Sequence, residues 1–195
     1  MTTLITYATP DYDTIYAKFV GKSVENLCIS PHIHHKVHKA IDWVGSCNLK
    51  PGIILQELKK GNPILYVDSD AEIKSRDIMD IDTIVPPEYI GACVFLDWHD
   101  WLGIESSTIE PLTGTLFFRP TASPLIEQWH KLCENSHQPD NKHFQQLVDY
   151  KHPGIFHLPL KWCYIDSLPK GGKGKIPCDN PLIIQYQISR QMRHT

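Results

Sequence analysis

A run of four apolar residues that ends in two closely spaced aspartates limits the folds open to this chain more than any other feature. The run 64–67 follows the turn sequence Gly61-Asn62-Pro63, which is typical of a short strand buried on both faces. Asp68 and Asp70 come directly after it. Because ionised carboxylates are almost never buried unpaired, both aspartates are expected beyond the carboxyl end of the strand.

The carboxyl ends of strands are where ligands bind in open α/β sheets. In extended geometry, Asp68 and Asp70 project to the same side, and Ser69 between them is small enough to let a ligand approach. Two carboxylates suit Mg²⁺ or Mn²⁺, which fill their remaining sites with phosphate and water. The motif predicts a diphosphate bridged to the protein by a divalent metal. The alternative is that both aspartates only cap the following turn.

The size and composition of the chain indicate an ordinary globular protein. Its 195 residues predict one domain spanning residues 1–195. The formal charge of -3 gives no broad basic surface for nucleic acid. We find no apolar run of about 18 residues and no signal-peptide pattern, so we expect a cytoplasmic monomer without a membrane span. The polar C-terminal end would also fit a domain cut from a longer polypeptide.

The order of patterns along the chain favours an α/β sheet. A strand over 4–8, a helix from Asp13 to about Glu25 and a strand over 27–30 form a βαβ unit. Further strands are predicted over 81–85, 90–96, 115–119, 155–159 and 181–186, and helices over 51–59, 123–133 and 140–150.

Three other segments each allow two interpretations. The histidines His32, His34, His35 and His38 lack a nearby cysteine or carboxylate to complete a zinc site, so a solvated loop and helix start is favoured. The tryptophans of the loop 97–101 could stack on a sugar or pack in the core. The basic, glycine-rich loop 170–175 could fold over a phosphate group or form only a surface turn.

Taken together, five segments resemble, in order and spacing, the small glycosyltransferases of the GT-A fold. The resemblance implies a mixed, mainly parallel central sheet flanked by helices. It also implies transfer of a sugar from a UDP-sugar donor to a glycan acceptor, with Mn²⁺ or Mg²⁺ as cofactor. The segments are Thr6-Tyr7-Ala8-Thr9-Pro10, Asn48-Leu49-Lys50-Pro51, 65–71, 113–118 with Trp129 in the following helix, and 183–190.

The resemblance also implies roles for particular residues around the donor. Tyr7, Ala8 and Thr9 would hold the nucleobase and ribose. Asp68 would reach the ribose or a metal-bound water, and Asp70 would coordinate the metal and so help to neutralise the diphosphate.

Further donor contacts are implied more weakly. Lys50 is a candidate on the nucleotide side, although a solvated lysine at a helix start is equally compatible with the sequence. Thr113 and Gly114 would pass beside the donor sugar, where glycine permits close approach. Lys173 in the glycine-rich loop would contact a phosphate. Gln185 stands where many relatives have a metal-binding histidine, and its carbonyl oxygen would bind a metal or phosphate more weakly.

The catalytic carboxylate has two candidates, Asp140 and Asp97, and helix capping is an alternative role for Asp140. Sequence does not decide between an inverting and a retaining reaction. Within the family, size and general pattern resemble glycosyltransferase domains of chlorella-virus multidomain proteins, which implies UDP-glucose or UDP-rhamnose as donor and a viral protein in the host cytoplasm. Two alternatives stay open, a sugar-1-phosphate nucleotidyltransferase and a catalytically silent module that binds nucleotides or glycans.

Overall fold

The computed structural model describes residues 1–38, 42–97, 109–166 and 176–188. The glycine-rich loop with Lys173, and the tryptophans Trp98 and Trp101, lie outside these residues.

A six-stranded central sheet carries most of the strands, and a second sheet of three short strands lies beside it. The described residues form nine strands: β1 (Thr3–Ala8), β2 (His32–Lys36), β3 (Ile64–Val67), β4 (Ala71–Ile73), β5 (Gly91–Asp97), β6 (Ile109–Phe118), β7 (Ile155–His157), β8 (Tyr164–Ile165) and β9 (Ile183–Gln185). The order in the central sheet is β2-β1-β3-β6-β5-β7. Only β6 among these runs antiparallel to its neighbours, which confirms a mixed, mainly parallel α/β sheet.

Helices cover the central sheet, and they include two that were not predicted as helices, over 43–48 and 81–84. They are α1 (Asp13–Tyr16), α2 (Lys22–Asn26), α3 (Trp43–Asn48), α4 (Lys50–Leu58), α5 (Ile81–Ile84), α6 (Ser123–Cys133) and α7 (Asp140–Leu147). A π-helical stretch, Ala17–Gly21, joins α1 to α2. None of the helices in the described part of the chain is long and apolar enough to cross a membrane.

Alternating side chains of the strands build a separate apolar core on each face of the central sheet. Leu65 and Val67 of β3 belong to the core that also contains Ile78 and Trp162. Tyr66, between them in sequence, belongs to the opposite core with residues of α4, α6 and α7. This alternation is the period-two pattern of a strand buried on both faces, as the apolar run predicted.

Two predicted strands were wrong. The segment 27–30 leaves the preceding helix through a backbone bond from Ile29 N–H to the Val24 carbonyl, and Cys28 has a φ of 49°. The strand therefore begins later, at His32, and three of the four histidines expected in a loop and helix start, His32, His34 and His35, lie on β2 instead. The segment 81–85 forms α5, because the 3₁₀ turn Arg76–Asp80 leads directly into it.

The small sheet determines what lies next to the two aspartates. Its order is β4-β9-β8, and β4 begins directly after Asp70. Ala71 pairs with Gln185 of β9. The C-terminal strand is therefore held against the segment that carries Asp68 and Asp70, although more than 100 residues of sequence separate them.

Candidate active site

A cavity of about 650 Å³ opens at the carboxyl ends of β1 and β3. Helices α3, α4 and α7 contribute to its walls, together with β6 and β9. All but one of the candidate residues within the described ranges line it: Tyr7, Ala8, Thr9, Lys50, Asp68, Ser69, Asp70, Thr113, Gly114, Asp140 and Gln185. The exception is Asp97, which ends β5 and is not part of the cavity wall.

The two aspartates lie in a turn and not in the extended segment that the sequence suggested. The backbone N–H of Ala71 donates to the Asp68 carbonyl at 3.2 Å, which places Ser69 and Asp70 at the centre of the turn. The turn forms because β3 ends at Val67 and β4 starts only four residues later in the other sheet. Asp68 and Asp70 still both face the cavity.

Lys50 lies at the centre of the cavity wall, and its ammonium group is buried. Its Nζ is 3.1 Å from Asp68 Oδ1 and 3.1 Å from Asp140 Oδ2, and it donates to the Thr113 carbonyl at 3.1 Å. Two carboxylates and one backbone carbonyl therefore surround the ammonium group. The interpretation of Lys50 as a solvated lysine at a helix start was wrong, because its side chain is buried against these acceptors.

Burial and charge act in opposite directions on this group. Burial favours the neutral amine, but the carboxylates of Asp140 and Asp68 outweigh it and hold the pKa of Lys50 well above its usual value. Burial raises the pKa of Asp140, and the nearby ammonium of Lys50 counters part of that rise. The three side chains therefore depend on one another for their charges.

Asp140 is held in place through its backbone as well as its carboxylate. It is the first residue of α7, and its carbonyl accepts a hydrogen bond from the indole Nε1 of the buried Trp129 at 2.8 Å. Its carboxylate is buried against Lys50, so its side chain does more than cap the helix.

An irregular stretch of β6 lies beside the aspartates. Cys93 of β5 pairs with Leu116, but Phe95 pairs with Pro111, so residues 112–114 bulge out of the ladder. Their carbonyls find other donors: Thr113 accepts from Lys50, and Gly114 accepts from the Asp68 N–H at 2.9 Å.

Gln185 closes the opposite side of this bulge. Its amide Nε2 donates to the Gly114 carbonyl at 2.8 Å and to Thr115 Oγ1 at 3.2 Å. A Cβ at Gly114 would lie 3.0 Å from the Gln185 amide and 3.2 Å from Asp68 Oδ2. Glycine is needed here for lack of space, which is the close approach that the sequence suggested.

The end of β1 forms another wall of the cavity. The Tyr7 hydroxyl donates to the Ser46 carbonyl at 2.8 Å, which ties β1 to α3. Thr9 Oγ1 is buried and has no hydrogen-bond partner in the described part of the chain. Tyr12 and Trp43 also line the cavity here. This part of the cavity combines aromatic surface with a buried hydroxyl group, and binding of a flat polar ring would require both.

Sequence reasoning missed several cavity residues. Tyr66 was interpreted only as a core residue, although it lies two residues before Asp68, near the carboxyl end of β3 where the cavity opens. Its hydroxyl donates to Asp68 Oδ1 at 2.6 Å. Glu110 was missed because β6 begins earlier than its strongest β pattern. Lys142 lies on α7, where its Nζ is 3.4 Å from Glu110 Oε1.

The charge of the described cavity wall is negative. Four carboxylates line it, those of Asp68, Asp70, Glu110 and Asp140, against the two ammonium groups of Lys50 and Lys142. No group of three or more His, Cys, Asp and Glu gathers among the described residues to hold an ion by itself. Two carboxylates with phosphate and water completing the shell nevertheless suit Mg²⁺ or Mn²⁺. Asp68, Asp70 and the Gln185 carbonyl oxygen are the donors that would hold such an ion.

The fold is that of the GT-A glycosyltransferases, the class that the sequence resemblance suggested. A solved glycosyltransferase involved in glycosylation of the major capsid of PBCV-1 superposes with a TM-score of 0.68 at 16% identity, over 99% of this chain and 97% of that one. Mouse xyloside xylosyltransferase 1 gives 0.58 at 11% identity, over 97% and 99%. The bifunctional glycosyltransferase WbbM gives 0.62 at 10% identity, over 95% of this chain and 45% of that one. No protein-family model matches the sequence, and no curated protein does.

Proposed function

We propose that this protein is a metal-dependent glycosyltransferase that transfers a sugar from a UDP-sugar to a glycan acceptor, with UDP-glucose or UDP-rhamnose as donor. The observation that carries the proposal is the convergence of Asp68, Asp70 and Gln185 on a negatively charged cavity in a GT-A fold. Charge repulsion opposes binding of a diphosphate beside these carboxylates, and a cation between them would remove that repulsion. Both lysines of the described wall already contact carboxylates.

Each wall of the cavity has a separate task in this proposal. Tyr7, Ala8 and Thr9 bind the nucleobase and ribose, and the buried Thr9 hydroxyl gains the partner that the described residues do not supply. Asp68 and Asp70 hold Mn²⁺ or Mg²⁺, which stabilises the charge that develops on the departing diphosphate. The bulge with Thr113 and Gly114 passes beside the donor sugar.

Asp140 is the carboxylate that this proposal assigns to the reacting end of the cavity. It lines the cavity while Asp97 does not. Burial raises the pKa of Asp140, and the Lys50 ammonium group 3.1 Å from its Oδ2 counters part of that rise. This ion pair favours the charged carboxylate, which would accept a hydroxyl proton or face developing positive charge on the sugar.

The test is release of UDP from UDP-glucose, UDP-rhamnose and other UDP-sugars with Mn²⁺, compared with the same reaction in EDTA. Release from a donor should stop on chelation, and it should fall by roughly 100-fold or more in Asp70→Asn, because one charged ligand of the metal is lost. The matched control is Asp77→Asn, which removes an exposed carboxylate outside the cavity wall and should turn over like the wild type.

Other outcomes would contradict the proposal in distinguishable ways. Wild-type turnover by Asp70→Asn would exclude the metal-diphosphate site. Formation of pyrophosphate from UTP and a sugar phosphate would identify a nucleotidyltransferase instead. Binding of UDP without release from any donor would identify a catalytically silent module.

A further inference from the structure

Tyr66 is a buried residue of β3 to which the proposed reaction assigns no role. Its ring is 1% exposed, and its hydroxyl donates to Asp68 Oδ1 at 2.6 Å. Tyr66 is the third residue of β3 and Asp68 directly follows the end of that strand, so the two side chains meet at its carboxyl end. A short bond to a charged acceptor is among the stronger hydrogen bonds in proteins.

A second donor reaches the same oxygen atom. Lys50 Nζ lies 3.1 Å from Asp68 Oδ1, and the same ammonium group sits 5.1 Å above the centre of the Tyr66 ring. The two donors therefore approach one oxygen of Asp68 and leave the other, Oδ2, without either of them. Oδ2 faces Gly114, where a Cβ would lie only 3.2 Å away. The carboxylate is held from one side and confined on the other.

We infer that Tyr66 is a positioning residue that orients the Asp68 carboxylate so that Oδ2 is offered to the metal and diphosphate. This inference rests on the proposed function and adds to it a residue that touches neither metal nor donor. Without the hydroxyl, Asp68 keeps Lys50 as its charged partner and is free to turn both oxygens toward that ammonium group. The metal would then compete with Lys50 for Asp68.

The experiment measures the affinity of UDP by titration calorimetry with saturating Mn²⁺ and again in EDTA. The ratio of the two affinities isolates the part of binding that depends on the metal. Tyr66→Phe keeps the ring and its packing but removes the hydroxyl. We expect it to lower the ratio about tenfold, the equivalent of about 1.4 kcal/mol, with UDP affinity in EDTA close to that of the wild type.

Tyr7→Phe is the matched control. Tyr7 is a buried tyrosine of the same cavity whose ring centre lies 6.0 Å from that of Tyr66, but its hydroxyl donates to a backbone carbonyl. Loss of that hydroxyl should change UDP affinity equally with and without the metal, so the ratio should stay at the wild-type value.

A second comparison keeps the test independent of any loss of stability. In an Asp68→Asn background the metal ligand is already impaired, so adding Tyr66→Phe should lower the ratio no further. A wild-type ratio in Tyr66→Phe, with or without a lower free energy of unfolding, would overturn the positioning role and leave the proposed function intact. If the wild type bound UDP equally well with Mn²⁺ and in EDTA, both the positioning role of Tyr66 and the proposed metal-dependent function would be overturned.

Discussion

Two polar clusters lie on the same central sheet, and only one of them faces the cavity. The carboxylate cluster consists of Asp68, Asp70, Asp140 and Lys50, at the carboxyl end of β3 and the starts of α4 and α7. The histidine cluster consists of His32, His34 and His35 on β2 with the residues they contact. The histidines are the more conspicuous in sequence, yet none of them lines the cavity.

The histidine cluster directs its polar atoms at its own neighbours. The buried Thr6 hydroxyl lies 3.1 Å from His32 Nε2 and 3.0 Å from His34 Nδ1. The Tyr16 ring stacks on His34 with centroids 3.5 Å apart, and His35 Nε2 lies 2.9 Å from Glu57 Oε1. These contacts hold β2 against β1 and α4, so the cluster serves the packing of the sheet edge.

The carboxylate cluster leaves an acceptor atom at the cavity that neither Lys50 nor Tyr66 contacts. Lys50 and Tyr66 bind one oxygen of Asp68, and its other oxygen faces the bulge beside the cavity. The difference between the clusters is therefore where their remaining polar atoms point, and not how many ionisable residues they contain. A cluster with acceptors left over at a cavity is the better candidate for ligand binding.

The largest effect expected on stability comes from removing the ammonium group of the carboxylate cluster. Lys50→Met keeps much of the aliphatic chain but leaves Asp140 buried without a cation. Breaking a buried ion pair in this way should lower the free energy of unfolding by about 3–5 kcal/mol. Urea denaturation at pH 7 measures it.

The matched control is Lys36→Met at the sheet edge. Lys36 pairs with Asp13 at 3.0 Å, but its side chain is 57% exposed. Loss of this surface pair should cost less than about 1 kcal/mol. If both variants lost the same free energy of unfolding, the buried ion pair would contribute no more to stability than the exposed one. The carboxylate cluster could then not be treated as one coupled unit.

The sequence was sufficient for the fold and for the strand end at which the cavity opens, because both depend on local patterns. The apolar run before Asp68 predicted a buried strand, and the alternation of strands and helices predicted an α/β sheet. The contacts of Lys50 could not be predicted from the sequence, because Thr113 and Asp140 lie 63 and 90 residues further along the chain. Whether Lys50 is solvated or buried depends on those partners.

A smaller effect is expected from crowding the free side of Asp68. Gly114→Ala would place a methyl group 3.0 Å from the Gln185 amide and 3.2 Å from Asp68 Oδ2. Both side chains must shift, so we expect the kcat/KM for the UDP-sugar to fall about tenfold, or about 1.4 kcal/mol, with little change in the free energy of unfolding.

Gly154→Ala is the control for crowding alone. Its Cβ would meet Ile90 Cγ1 at 3.2 Å and His152 Cε1 at 3.3 Å, a similar degree of contact outside the cavity wall. This variant should retain wild-type kcat/KM. If Gly114→Ala also retained wild-type kcat/KM, the space beside Asp68 Oδ2 would not matter to the donor. The proposal that the carboxylate cluster binds the donor would then lose this support.

The smallest effect belongs to the histidine cluster and appears only on acidification. Burial, followed by the charge of His32, lowers the pKa of His34 to about 4, against about 6.5 in the unfolded chain. As the pH falls below about 6.5, the unfolded state takes up the proton first, so stability is lost between about pH 6.5 and 4. After allowance for solvent screening of this half-buried ring, about 1 kcal/mol should be lost between pH 7 and 5.

His34→Gln removes the titrating ring, so its free energy of unfolding should fall less than that of the wild type over the same range of pH. The exposed His137→Gln serves as the control and should keep the wild-type pH dependence. Release of UDP at pH 7 should be the same in His34→Gln as in the wild type, because His34 does not line the cavity. A loss of turnover comparable to that of Asp70→Asn would show that the histidine cluster also takes part in donor binding, which its internal contacts argue against.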